Sequence, residues 1–149
     1  MDLTQLTSLD LSHFSRLSTL SLTGLKQLAS LNLSYCTQVN TLSLTDLMQL
    51  TSLNLSGCSQ VSDLSPLAGL TQLTSLDLSG CSQVSDLSPL AGLKRLTSLN
   101  LFGCTQVNDL SALTKLNSLE KLDLGGTLDK VTIPLSIKER VEVIFLGET

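Results

Sequence analysis

The chain has 149 residues and a formal charge of −4, with 42% hydrophobic, 15% charged and 3% aromatic residues. One domain accommodates that length, and a weakly acidic balance without basic runs argues against a nucleic-acid partner. No apolar run approaches the roughly 18 residues that span a bilayer.

The start, Met1-Asp2-Leu3-Thr4-Gln5-Leu6, shows no basic segment followed by an apolar core. No signal peptide is visible, so a cytoplasmic location, or a segment cut from a longer chain, is expected. From these first residues onward the sequence repeats itself. The second leucine of a Leu-x-x-Leu-x-Leu motif falls at Leu9, Leu31, Leu53, Leu76, Leu99 and Leu122, in steps of 22, 22, 23, 23 and 23. A fixed period in this range predicts a stacked repeat array. Leu53 and Leu55 alternate with Asn54, which predicts a short strand in each repeat. Strands separated by one whole repeat must run parallel, with a crossover between them.

The first return segments, around Leu20-Ser21-Leu22 and Leu42-Ser43-Leu44, belong to repeats one residue shorter than those that follow. They are expected to be extended. Further along, Val61, Leu64, Leu67, Leu70 and Leu73 recur every third residue, which suits 3₁₀-like turns. Ser65-Pro66 and Ser88-Pro89 place a capping serine before a proline at the first helical position. Residues 58 to 70 and 81 to 93 read identically, CSQVSDLSPLAGL. Residues 1 to 127 thus hold six repeats, and residues 128 to 149 read as a divergent C-terminal capping coil of the same domain. Aligning Gly126-Thr127 with Glu148-Thr149, a shift of 22, places Ile144 and Leu146 on Leu122 and Leu124. Val143 and Phe145 then face outward; a slip of one residue turns them inward instead.

The complete copies Leu50 to Cys58, Leu73 to Cys81 and Leu96 to Cys104 resemble the leucine-rich repeat family. The stretch Val61 to Leu70 is similar to the short, internalin-like bacterial subclass, and the step from Cys58 to Val61 to the cysteine-containing subclass. The resemblance covers roughly residues 3 to 127. It implies an α/β solenoid: a right-handed superhelix with a parallel concave β-sheet and short 3₁₀ or extended convex segments. It also implies that Cys36, Cys58, Cys81 and Cys104, which share one repeat position with Phe14 and Thr127, point inward and bond to neighbouring backbone. Four in-register thiols are read as a reduced, structural ladder, and their spacing is unlike the short paired spacings of zinc sites.

No constellation for catalysis stands out, and neither an enzyme nor a cofactor is expected. His13 is the single histidine, and nothing selects one serine as its partner. Gly57, Gly80 and Gly103 sit in turns and form no phosphate loop. Asp63, Asp86 and Asp109 form one column, and Asp10, Asn32, Asn54, Asp77, Asn100 and Asp123 another. Stacked carboxylates attract calcium, but amides alternate with acids from Asn54 to Asp123, and Asp63 and its copies suit turn hydrogen bonds. The sequons Asn32-Leu33-Ser34 and Asn54-Leu55-Ser56 look like accidents of the repeat.

A solenoid offers its concave sheet for binding. The outward residues are Ser8, Asp10, Ser12; Ser30, Asn32, Ser34; Ser52, Asn54, Ser56; Ser75, Asp77, Ser79; Ser98, Asn100, Phe102; and Lys121, Asp123, Gly125. The first four rows are small and nearly uniform, without the aromatic or arginine anchors of binding hot spots. The last rows break the pattern. The expected protein-binding patch is therefore Asn100, Phe102, Lys121 and Asp123, joined by Phe145 from the cap. Seven of the nine bases lie beyond residue 93, read as solvated surface for the C-terminal coils. The expectation is a non-enzymatic module that binds another protein, as a segment of a larger bacterial signalling or effector protein. The alternative is a structural, self-assembling or engineered array without a dedicated ligand. In either case an uncapped first coil exposing Leu9 and Leu11 invites self-association, or is covered by an upstream segment of a longer chain.

Overall fold

The computed structural model describes residues 3–127 and 131–145. Leu146, Glu148 and Thr149, used in the C-terminal alignment, lie outside them. Each repeat contributes one three-residue strand to a parallel sheet: β1 (Ser8–Asp10), β3 (Ser30–Asn32), β5 (Ser52–Asn54), β6 (Ser75–Asp77), β7 (Ser98–Asn100), β8 (Lys121–Asp123) and β9 (Glu142–Ile144), side by side in that order. Leu9 pairs with Leu31, Leu31 with Leu53, and so on to Leu122. The sequence period is thus the ladder register. Strands stay short because only the central leucine and its successor point inward before the chain must turn.

The return side differs between the two halves, as the repeat lengths imply. In the 22-residue repeats it contains β2 (Thr19–Ser21) and β4 (Thr41–Ser43), which pair in parallel as a second, two-stranded sheet. In the 23-residue repeats it contains 3₁₀ helices at Ser65–Leu67, Ser88–Gly92 and Ser111–Lys115. The capping expectation needs correction. Ser65 and Ser88 are the first helical residues, and no side chain caps from the N-cap positions Leu64 and Leu87. The preceding acid does this work: Asp63, Asp86 and Asp109 accept the N–H of Ser65, Ser88 and Ser111 at 2.8–2.9 Å. Those backbone bonds hold the three carboxyls below the usual carboxylate range.

The core is a column of leucine on leucine with valine and cysteine between. Leu55, Leu78 and Leu101, one coil apart, are all fully buried. The first coil is not sealed in the same way: Leu6, Leu9, Leu11 and Leu17 are only partly buried, and β1 has no neighbour on its outer side among the described residues. At the other end a single helical turn, α1 (Leu135–Lys138), buries Ile137 and leads into β9. Among the described residues no helix is long and apolar enough to cross a membrane.

The C-terminal alignment is corrected by one residue. Leu122 pairs with Val143 and Asp123 with Ile144, a shift of 21. Val143 therefore packs toward the core and Ile144 takes the outward position. The 22-residue shift fails because a one-residue slip exchanges the faces of a strand. Here the shorter connection through α1 sets the register.

Candidate functional site

The turn after each strand is built by the outward Asx column. Oδ1 of Asp10, Asn32, Asn54, Asp77, Asn100 and Asp123 accepts the N–H two residues on, from Ser12, Ser34, Ser56, Ser79, Phe102 and Gly125, at 2.8–2.9 Å. A short side chain that mimics a backbone acceptor ends the strand and starts the turn. The same bond fixes the rotamer, so these side chains stand in an ordered row across the concave face. Asn32 also gives its amide to Asp10 at 3.4 Å, an acid–amide contact of the kind that offsets repulsion between stacked acids. The bonds from the Ser12 hydroxyl and N–H hold Asp10 below the usual carboxylate range.

Below the turn lies the thiol ladder. Sγ of Cys36, Cys58, Cys81 and Cys104 donates to the carbonyls of Leu11, Leu33, Leu55 and Leu78, each at 3.1 Å. All four cysteines are free and buried. Burial pushes the Cys58 thiol up to about 11 and Cys104 up to about 12, and it raises Cys36 and Cys81 as well. A protonated, buried thiol is a poor nucleophile and a poor metal ligand. Among the described residues no three His, Cys, Asp or Glu side chains are grouped to hold a metal ion.

Across β6 to β9 the concave face sinks into an open hollow of about 240 Å³. Ser75, Asp77, Ser98, Asn100, Lys121, Asp123 and Ile144 line it. It brings together three residues of the expected patch, Asn100, Lys121 and Asp123. Phe102 does not line it; it lies in the turn after β7, 42% exposed, with its ring tip 3.7 Å from where a side chain on Gly126 would begin in the turn of the next coil. Phe145 is exposed and does not line the hollow; Ile144 supplies the apolar wall in its place. Ile144 could have been found in the sequence from the 21-residue alternative alone. Lys121 stands beside Glu142 in the register.

A second feature was hidden in the sequence. Gly57, Gly80, Gly103 and Gly126 all have positive φ, and the two earlier coils put His13 (φ 66) and Tyr35 (φ 60) at the same place. Their rings stack with centroids 4.9 Å apart and planes 15° from parallel. The signal was the glycine column itself, broken by two aromatic rings. The histidine is thus engaged in a surface stack, and no serine hydroxyl is bonded to it among the described residues.

Parallel three-residue strands, short returns and one inward hydrogen-bonding ladder define a solenoid of stacked coils. Residues 49–92 match the family model for leucine rich repeats, in two copies. The coils of residues 49–92 are thus leucine-rich repeats, set in a solenoid that carries a cysteine ladder. No curated protein sequence matches the chain. Among solved structures it is similar to internalin C2 from Listeria monocytogenes str. 4b F2365, at 22% identity over 95% of this chain and 80% of that one, with a TM-score of 0.41. It is also similar to the functional domain of InlJ from Listeria monocytogenes, described as including a cysteine ladder. Here identity is 21% over 98% of this chain, with a TM-score of 0.47. The chain spans 40% of that InlJ chain.

Proposed function

We propose that the chain is a non-enzymatic module that binds another protein through the C-terminal half of its concave face. The observation that supports this reading is the hollow over β6 to β9, where Asn100, Lys121, Asp123 and Ile144 converge, with the exposed Phe102 in the following turn tied through its N–H to Asn100. An aromatic at the edge of a polar hollow is the composition of a small interface anchor. The uniform concave rows over β1, β3 and β5 carry no aromatic residue. The reading extends to the setting: a segment of a larger bacterial signalling or effector protein, in a reducing cytoplasm that keeps the thiols free.

The test is retention of a partner by immobilised protein. A partner held by the wild type and by a Ser30→Ala control should be lost with Phe102→Ser, while the melting temperature hardly moves. Retention by Phe102→Ser, or unfolding of the last coils, sinks the assignment.

A second reading is self-assembly without a dedicated ligand. It is favoured by the partly exposed Leu6, Leu9, Leu11 and Leu17 beside the outer edge of β1, which is unpaired among the described residues. Unpaired parallel edges and unsealed terminal coils associate with other chains.

A further inference from the structure

The bases of this acidic chain gather on one edge. Five of the nine, Lys94, Arg95, Lys115, Lys138 and Arg140, stand in the turns that lead into β7, β8 and β9. The turn segments 93–96, 115–118 and 135–140 hold a single acid, Glu139. The remainder of the chain carries thirteen acids less Glu139 against four bases, a net −8.

The fold draws these cations together. Lys94 Nζ donates to the carbonyl of Lys115 at 2.8 Å, and Arg140 Nη1 donates to the carbonyl of Leu116 at 2.9 Å. Two side chains from flanking coils thus converge on consecutive carbonyls of the coil between them. Arg95 turns the other way and donates to Gln72. All five residues are exposed. Among the described residues these side chains meet only neutral oxygens, and Lys115 and Lys138 meet none. Neutral carbonyls fix the position of a cation without cancelling its charge.

The patch is short and bounded. Toward the N-terminus the same turn position is Gln72, Gln49 and Gln27, so the charge stops at coil four. Three coils are separated by two spacings of roughly 4.8 Å, which gives a length of about 10 Å. An extended peptide of roughly three residues has that length, and its side chains reach somewhat further. A long polyanion such as a nucleic acid would run beyond the patch over a surface of net −8, which repels it.

We propose that this basic edge receives a short acidic segment, rich in Asp and Glu, of the protein that the module binds. This rests on the protein-binding reading but uses a surface separate from the hollow. The edge then supplies orientation and encounter rate, as charge complementarity does at interfaces.

The experiment uses a fluorescently labelled hexaglutamate peptide, with hexaglutamine as the neutral probe, in polarisation titrations of the full chain. Hexaglutamate should bind and hexaglutamine should not, with affinity falling as salt rises from roughly 50 to roughly 200 mM. Lys115→Glu with Lys138→Glu, at two side chains without partners among the described residues, should weaken binding about tenfold or more at unchanged melting temperature. Phe102→Ser should leave the peptide affinity intact, so failure of the hollow and failure of this edge are read separately. Absence of binding at low salt, or equal affinity in the doubly reversed variant, means that these bases only solubilise. Tighter binding of a single-stranded oligonucleotide of equal charge overturns the acidic-peptide assignment.

Discussion

The ring of Tyr35 occupies the space that a side chain on Gly57 would need: a Cβ there would lie 2.7 Å from Tyr35 Cδ1. Gly57 also has φ +73, a conformation that L side chains rarely adopt. Two separate constraints therefore act on one glycine. Backbone strain is intrinsic to the turn, and the clash comes from the neighbouring coil. Gly80 carries the first constraint without the second, since only the Gly57 backbone lies near its Cβ position.

Gly57→Ala should therefore cost more than about 1 kcal/mol. Part of that cost should vanish when Tyr35→Ala is made as well, a coupling of roughly 0.5–3 kcal/mol in a double-mutant cycle. Urea unfolding of the four proteins measures it. An additive cycle would mean that the ring does not rest on Gly57.

The core is tested at Leu78, buried between Leu55 and Leu101. Leu78→Ala should cost on the order of 2–5 kcal/mol, because coils stacked this closely cannot collapse onto the void. A loss below about 1 kcal/mol in chemical denaturation would contradict the strand register.

The thiol ladder predicts both reactivity and pH dependence. Without denaturant the four cysteines should react slowly with a thiol reagent, and all should react on unfolding. Folding raises the thiol pKa above its ordinary 9.0, to about 11 at Cys58 and about 12 at Cys104. A raised pKa means that the folded state holds the proton more tightly. The corresponding stability is complete below pH 9.0 and is lost as pH rises through the folded values near 11 and 12. Urea midpoints should fall between about pH 8 and about pH 10.5, and Cys58→Ala with Cys104→Ala should flatten that fall. Fast labelling of all four thiols in the native protein would remove the ladder from the account.

Much of the fold was legible because a repeat multiplies each signal. Leu9 to Leu122 announce the register six times, and the ladder pairs these same residues. The missing residue in the first two repeats foretold the extended returns that became β2 and β4. What the sequence hid were features without a second copy. Ser65 looked like a cap because Ser-Pro is a local signature, whereas Asp63 two residues earlier is the acceptor. The register of β9 depends on how α1 shortens the last connection, which no repeat encodes. Of the candidate site, Phe102 and Lys121 were visible as breaks in the serine rows, with Asn100 and Asp123 beside them in the regular Asx column. Ile144 waited on that register, and the His13–Tyr35 stack on the backbone angles.

The open first coil predicts association. Phe14 replaces the ladder cysteine there and is 57% exposed, and a phenyl group cannot make the thiol's hydrogen bond. Light scattering should show species above monomer at high concentration, reduced by Leu9→Lys or Leu11→Lys. A strictly monomeric protein at about millimolar concentration would count against an adhesive edge.

The central claim is that the hollow over β6 to β9 is the binding surface. Hydrogen exchange of the protein with and without a bound partner tests it most directly. The account predicts new protection at Asn100, Phe102, Lys121 and Asp123, with β1 and β3 unchanged. Protection confined to β1, β3 and β5, or to the convex returns, would contradict it.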